Sequence, residues 1–345
     1  MRNFLTGLVL SFFTVFVLSP HLTAQVTAQA ANMTPLLSPE ACGQVPISIA
    51  RAWPHTDFNQ CTAPIAEVRS GGPGKDGIRS IEMPEFQPVS SSALADEEPV
   101  ITVSFNGDTR TYPLQILIWH EIVNDEVGGV PVAVTYCPLC NASIVFDRRL
   151  NDKVLEFGTT GNLRRSDLVM YDRQTESWFQ QYDGTGLFGM LAGEVLTALP
   201  ARLESVGDVR MRGGDSLIMA TPKGFLRPYG ANPYIGYDTS NFPFLFDGEV
   251  PQGIKPLEYV VIADDRAWAL DSLQKEKQIK AGDVLLEWAP GRASALDSRK
   301  IADGRDLGVV TVSQIDEKGS KELIPYKISF AFVWHAFNPD AAIIR

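Results

Sequence analysis

The sequence predicts a strand-rich α+β fold of two lobes that derive from a degenerate internal duplication. The first observation behind this is a series of short apolar segments separated by turn residues, which is typical of strands and hairpins. The second is that the pattern beginning at Val100 recurs in weaker form from Glu258, as EYVVIA followed by RAWAL. One copy alone would leave apolar faces uncovered, so two packed lobes are the simplest architecture.

Residues 1–30 have the features of a signal peptide. Arg2 gives a positive start, Phe4 to Leu18 is apolar, and Ala28-Gln29-Ala30 is a small-x-small cleavage site. The apolar stretch is short and interrupted, whereas a membrane span needs about 20 apolar residues, so no stable membrane anchor is expected. We therefore expect an exported protein, periplasmic or extracellular, cleaved near Ala30; an uncleaved signal anchor is the alternative.

Composition limits the classes of partner. The 345 residues carry a formal charge of -11, with 45% hydrophobic and 21% charged residues. An acidic surface without a basic run repels phosphate backbones, so nucleic acid is not expected as a partner. The partner could still be a small molecule, a metal ion or another protein.

The four cysteines form two pairs in sequence. Cys42 and Cys61 lie in an N-terminal arm, residues 31–97, that is rich in proline and has no catalytic-looking neighbours. Oxidising compartments favour disulfides, and closing a loop of about 20 residues stabilises by roughly 3 kcal/mol in the chain-entropy model. A structural Cys42–Cys61 disulfide is therefore predicted.

The first lobe, residues 98–220, is predicted to start with a hairpin that turns at Asn106-Gly107. Pro113 then opens a helix, and the periodic stretch Leu114 to Val127 continues it to Gly128-Gly129. Later predicted elements are a strand from Val130 to Tyr136 and a hairpin of Ser143 to Leu150 with Lys153 to Thr159 around Asn151-Asp152.

Residues 221–257 form a connecting arm rich in proline and aromatic residues, which predicts packing across both lobes; a peptide-binding surface is the sharper alternative. The second, degenerate lobe covers residues 258–345, where Arg266 and Leu270 fall at the places of Arg110 and Leu114. Only the first copy contains the Cys-x-x-Cys and His120. If the sulfurs merely held the fold, the second copy would also need them, so this asymmetry indicates a function.

The candidate site centres on Cys137 and Cys140, which end the predicted strand. On the predicted helix, His120 and Asn124 share one face and Glu121 and Asp125 another. Cys137, Cys140 and His120, with Met170 or Glu121 as a fourth ligand, make a soft donor set suited to copper(I) or zinc. The leading hypothesis is metal binding.

Two other functions use the same cysteines. In a thiol-disulfide oxidoreductase, Cys137 would attack, Cys140 would resolve and His120 would act as base. The residues after Cys140 predict a strand rather than a helix, so the helix dipole of thioredoxin-like sites would be missing. In the third alternative, a noncatalytic binding or scaffold protein, the pair forms a structural disulfide. Covalent haem is disfavoured because Asn141, not His, follows Cys140.

Two further segments have weaker signals. The charged run from Arg164 to Trp178 places Arg164, Asp167 and Arg173 where they could line the same pocket as Glu121 and Asn124, although surface ion pairs explain the run equally well. The segment SGGPGKDGI, from Ser70, lacks the Walker spacing of a phosphate-binding loop and is interpreted as a structural loop.

Together, TDFNQC, SGGPGKDGI, YPLQILIWHEIVNDEVGGVPVAVTYCPLCN and DLVMYDRQTESW resemble DUF3179, a bacterial and archaeal family of unknown function. The resemblance covers most of the mature chain and supports export, but it implies no activity. The family pattern has Gly where Asn141 stands, and the Cys42 and Cys61 pair resembles a feature of a narrower subgroup.

Overall fold

The structure, a computed structural model, describes residues 33–345. The predicted signal peptide lies outside the described residues. Across residues 33–345, none of the helices has the length and apolar character needed to cross a membrane.

The fold is α+β and rich in strands, as predicted. The helices are α1 Pro39–Cys42, α2 Ile47–Ala52, α3 Leu114–His120, α4 Val206–Arg212, α5 Leu270–Glu276 and α6 Ala331–Phe337. The strands are β1 Val68–Ser70, β2 Ile81–Glu82, β3 Phe86–Pro88, β4 Pro99–Phe105, β5 Asp108–Pro113, β6 Ile122–Val127, β7 Val130–Cys137, β8 Ala142–Asp147, β9 Arg149–Leu150, β10 Lys153–Val154, β11 Phe157–Arg164, β12 Asp167–Asp172, β13 Trp178–Gln180, β14 Gly186–Phe188, β15 Ala198–Leu199, β16 Arg202–Ser205, β17 Leu217–Met219, β18 Tyr259–Ala263, β19 Arg266–Ala269, β20 Gln278–Ala281, β21 Val284–Ala289, β22 Val309–Ile315, β23 Lys321–Leu323, β24 Lys327–Phe330 and β25 Ile343–Ile344.

The predicted disulfide is confirmed, because Cys42 and Cys61 are bonded. Both are fully buried in an apolar cluster with Trp53, Phe58 and Trp178. The rest of the arm supplies β1, β2 and β3, each of which pairs with a strand of a different sheet of the first half. The N-terminal arm is therefore an integral part of the fold.

The first half, residues 98–220, contains two five-stranded sheets, ordered β16-β4-β5-β17-β3 and β15-β8-β7-β6-β2. The hairpin β4-β5 turns at Asn106-Gly107 as predicted, and β7 confirms the strand expected from Val130. The hairpin around Asn151-Asp152 also forms, but only as the short pair β9-β10.

The predicted helix from Leu114 to Val127 is wrong in its second part. Helix α3 ends at His120, Glu121 takes φ +60, and Ile122–Val127 is strand β6, antiparallel to β7. The residues Ile122, Val123 and Val127 are fully buried. Their β-branched side chains pack well in a sheet, which overrides the apparent helical periodicity. The shared helical faces predicted for His120 with Asn124, and for Glu121 with Asp125, therefore do not exist.

Between β8 and β15 the chain makes an insertion, β9 to β14, most of which joins β1 in the sheet β1-β11-β12-β13-β14. The charged run of the sequence analysis lies here, and Asp167 is the first residue of β12. The insertion packs the disulfide cluster on one side and contributes Leu168, Met170 and Phe179 to the main core.

The second half, residues 258–345, has two four-stranded sheets, ordered β24-β18-β19-β25 and β20-β21-β22-β23. Its element order is a hairpin, a helix, four antiparallel strands, and then a strand, a helix and a strand. The first half has the same order once the insertion is set aside. In both halves the last strand pairs in parallel with the second strand of the first hairpin. The connecting arm packs Tyr229, Tyr234 and Tyr237 against the main core.

Candidate functional site

The two thiols sit on a tight hairpin between β7 and β8. Cys137 is the last residue of β7 and pairs with Ala142, so four residues form the turn. Asn141 has φ +48 and its backbone N–H donates to the Pro138 carbonyl. Asn and Gly tolerate the left-handed region best, which explains the Asn at this position. A strand, not a helix, follows Cys140, as predicted.

Other parts of the chain hold this turn in place. The Tyr237 hydroxyl, from the connecting arm, donates to the Leu139 carbonyl at 3.0 Å. From the second half, the Ser329 hydroxyl donates to the Cys140 carbonyl at 2.8 Å, and the Asn141 amide donates to the Ile328 carbonyl at 3.0 Å. Because the turn is bonded on two sides, its thiols have a fixed position.

The structure brings Asp167 to the two thiols. One ligand atom from each of Cys137, Cys140 and Asp167 lies within 4.8 Å of the others. Both cysteines are free, and all three residues are at most 1% exposed. The thiols also face the Ser166 carbonyl, with Sγ to O distances of 3.9 Å for Cys137 and 3.2 Å for Cys140.

Half of the Asp167 carboxyl group has no protein partner. Oδ2 accepts from Gln180 Nε2 at 2.6 Å and from the Tyr182 backbone N–H at 2.8 Å. Oδ1 is buried and accepts no hydrogen bond from any described residue. Within residues 33–345, the Cys140 thiol is the one further donor beside the carboxyl group, and a thiol is a weak donor, so this oxygen remains available to a metal ion.

The local electrostatics favour bound protons or a cation. Burial raises the pKa of Asp167 to about 7 and that of Glu121 to about 8, and the charge of Asp167 adds to the effect on Glu121. Burial also raises the pKa of both thiols, that of Cys140 most strongly. Across residues 33–345 no lysine or arginine pairs with Asp167 or Glu121. Four acidic groups thus share a low-dielectric site without a protein cation.

His120 lies elsewhere. Its Nδ1 is 2.7 Å from the Arg79 carbonyl, which can only accept, so Nδ1 carries the proton and Nε2 accepts from the Tyr229 hydroxyl at 2.7 Å. Burial lowers the pKa of His120 and favours this neutral form. Both ring nitrogens are therefore engaged, and the imidazole is not part of the thiol cluster. Met170 is fully buried in the core that contains the cysteines.

The remaining predicted pocket residues separate into two groups. Arg164 is bonded to Glu67 and, through Nη1 at 3.3 Å, to Gln180, the residue that donates to Asp167. Asn124 instead ties β6 to β11 by two hydrogen bonds with the Phe157 backbone. Arg173 pairs with Asp76 in the SGGPGKDGI segment. Asn124 and Arg173 thus support the framework of the first half.

A cavity of about 120 Å³ adjoins the cysteine hairpin. Cys137 and Glu121 line one side and Gly161 another, while Gly71, Pro73 and Ile78 of the SGGPGKDGI segment line a third. Sequence reasoning did not connect this segment with the site, although its glycines were a signal of close backbone approach. From the sequence, Asp167 is predicted as a pocket residue and not as a neighbour of the thiols, because it lies far from Cys137 and Cys140 along the chain.

Chemically, the arrangement offers two sulfur donors and one oxygen donor at one point, beside a small cavity.

A search of curated proteins and of solved structures found no significant match. A family model described as "Protein of unknown function (DUF3179)" matches residues 75–341, which contain the cysteine hairpin, Asp167, Glu121 and most of the cavity wall. The match spans more than half of the chain and agrees with the motifs that predicted it, so the chain belongs to the family DUF3179.

Proposed function

We propose that the protein binds one metal ion through Cys137, Cys140 and Asp167. The observation that carries the proposal is the buried Asp167 carboxyl, whose Oδ1 has no partner among the described residues and which lies beside two free, buried thiols. A cation would neutralise the acidic cluster, displace its protons and give this oxygen a partner.

Zinc is the first choice of metal and copper the second. Zinc binds thiolate sulfur at about 2.3 Å and carboxylate oxygen at about 2.0–2.2 Å. Ligand atoms within 4.8 Å of one another, as those of Cys137, Cys140 and Asp167 are, can therefore bind one zinc ion. Copper(I) prefers an all-soft set, which this site would reach only if Met170 replaced the carboxylate. Glu121 lines the adjoining cavity with Cys137 but is not part of the three-residue cluster, so the proposed protein ligands are Cys137, Cys140 and Asp167.

The other two functions have less support. A reactive thiolate needs a lowered pKa and access, whereas both thiols are buried and burial raises their pKa. A structural disulfide does not account for the pair either, since both cysteines are free in the structure.

The test is metal analysis of the purified protein beside a Cys137→Ser/Cys140→Ser variant. We expect about one equivalent of zinc in the parent protein and less than about a tenth in the variant. Ala289→Ser is the matched control, because Ala289 ends the corresponding strand β21 of the second half. Equal metal content in all three proteins, or none in the parent, would refute the proposal.

We further propose that the protein is exported and that its halves derive from one duplicated unit. The Cys42–Cys61 disulfide fits an oxidising compartment. The matching element order of residues 98–220 and 258–345 supports a duplication. N-terminal sequencing of protein recovered from the periplasm or medium tests the first point, with Ala31 as the expected first residue. Superposition of the two halves tests the second.

A further inference from the structure

The cavity beside Cys137 is the right size for a very small ligand. A protein cavity of about 150 Å³ can hold one benzene molecule, so a cavity of about 120 Å³ accommodates a ligand of roughly six non-hydrogen atoms or fewer. Drug-sized ligands need at least about 300 Å³. A cofactor, a peptide or a sugar would not fit without a rearrangement of the walls.

Glu121 gives this cavity an unused polar group. Its side chain is 8% exposed and lines the cavity. Within residues 33–345 its carboxyl group makes neither a hydrogen bond nor an ion pair, and only its backbone is bonded, to Leu117 and Tyr136. Since a buried carboxyl group without a partner is costly, its partner is expected in the cavity.

One wall of the cavity is built by close backbone contacts of the SGGPGKDGI segment. Gly161 has φ +74, and a Cβ at this position would lie 2.0 Å from the Pro73 carbonyl oxygen. The Gly161 carbonyl also accepts from the Gly71 backbone N–H at 2.8 Å. Only glycine permits this approach, so the SGGPGKDGI segment closes the cavity at a fixed size.

We propose that this cavity is a ligand site: a small exogenous ligand binds an open position of the metal and hydrogen-bonds to the Glu121 carboxyl group. The inference rests on the proposed metal site, because the three protein donors leave one position of a tetrahedral ion free. The ligand class is a water molecule or a small anion of about the size of azide. Such an open site is typical of metal centres that bind a substrate, whereas structural zinc sites are closed by four protein ligands.

The experiment uses the protein reconstituted with cobalt(II), whose absorption bands report thiolate binding and coordination number. Azide is titrated against the cobalt protein, and benzoate, which is far larger than the cavity, serves as the size control. We expect azide to shift the cobalt bands with saturation and benzoate to leave them unchanged. Ile78→Phe, which fills the cavity, should weaken azide binding at least about 10-fold while cobalt still binds. Ile279→Phe, at a half-buried position in the second half, should not.

The outcomes separate the two proposals. Absence of cobalt–thiolate bands would refute the metal site itself. Normal cobalt binding with no response to azide would show a closed site, and would overturn this inference while leaving metal binding intact. If Ile78→Phe does not fold, Glu121→Gln decides in its place: unchanged azide affinity in that variant would remove Glu121 from the ligand site.

Discussion

The two halves of the molecule share an order of elements but carry very different side chains. Glu121 directly follows helix α3 of the first half and Lys277 directly follows helix α5 of the second half, with φ +60 and φ +65. Their backbone N–H groups donate to Leu117 and Leu273, and their carbonyls accept from Tyr136 and Trp288. The left-handed residue after the helix is therefore a requirement of the fold, and its strain is not peculiar to the site.

The side chains at these matching positions act oppositely. Glu121 is a buried acid without a partner, whereas the Lys277 ammonium lies 3.8 Å from the centre of the Trp288 ring in a cation–π contact. Cys137, at the end of β7, corresponds to the exposed Ala289 at the end of β21. The second half also has only five residues between β22 and β23, where the first half inserts the strands that carry Asp167. The fold thus forms without the thiols or the acids, which indicates that the first half keeps them for a function.

The largest expected difference between the halves is a pH effect on the metal-free protein. In the unfolded chain Glu121 and Asp167 lose their protons near pH 4, whereas in the folded protein their pKa values are about 8 and about 7. Between these limits the unfolded state releases protons that the folded state keeps, so stability falls as pH rises from about 4 to about 8.

The free energy of unfolding, measured by urea denaturation with a chelator present, should drop by on the order of 6 kcal/mol between pH 5 and pH 8. Glu121→Gln should reduce the drop, while Lys277→Gln should leave it unchanged. Zinc should restore stability most at high pH, since binding no longer competes with protons. A flat profile in the parent protein would contradict the buried acidic cluster.

The effect of the disulfide comes next in size, and it concerns the N-terminal arm and the insertion that the arm packs against. Cys42→Ala/Cys61→Ala should lower the free energy of unfolding by roughly 3 kcal/mol, because the unfolded chain gains the freedom of an open loop. The bridge packs against Trp178 and Phe188 of the insertion, away from the thiol cluster, so the metal content should not change. Loss of metal in this variant would show that the arm positions Asp167.

A reciprocal exchange tests the matching positions directly. Glu121→Lys places a cation beside the proposed ligands and should weaken zinc binding about 100-fold, or about 2.7 kcal/mol. Lys277→Glu should leave zinc affinity unchanged and cost about 1 kcal/mol of stability through the lost cation–π contact. Competition with a chromophoric chelator measures the first effect and urea denaturation the second. Equal zinc affinities in the two variants would mean that Glu121 lies outside the field of the metal.

Much of this architecture could be predicted from the sequence because its signals are local. Neighbouring residues are enough to predict the turn at Asn106-Gly107 and the strand from Val130. The oxidising compartment is enough to predict the Cys42–Cys61 disulfide. The boundary between α3 and β6 was missed because WHEIVND satisfies a helical period, and only the pairing of β6 with β7 decides for a strand. His120 is predicted as a metal ligand because it is close to Cys137 in the sequence. Its hydrogen-bond partner in the structure, the Tyr229 hydroxyl, is 109 residues away.

The proposed ligand Asp167 illustrates the same limit from the other side. It is 27 residues beyond Cys140 in an insertion, and nothing in its local sequence distinguishes it from Asp172. Asp172 accepts bonds from Thr175 and Ser177 within its own turn, which makes it structural. Only the packing of β12 against the cysteine hairpin separates these two aspartates, and packing depends on contacts that are distant in sequence.

The smallest expected effect concerns the support that the second half gives to the first. Ser329→Ala removes the donor to the Cys140 carbonyl and leaves a buried acceptor unsatisfied, at a cost of about 1 kcal/mol. Because the cysteine turn loses one of its supports, we expect zinc affinity to fall roughly 3-fold to 10-fold. Ser313→Ala is the control, since Ser313 is also buried in the second half but makes no bond to the turn. The same affinity in both variants would mean that the turn keeps its shape through the hydrogen bonds of Tyr237 and Asn141 alone, and that the Ser329 bond does not position the thiols.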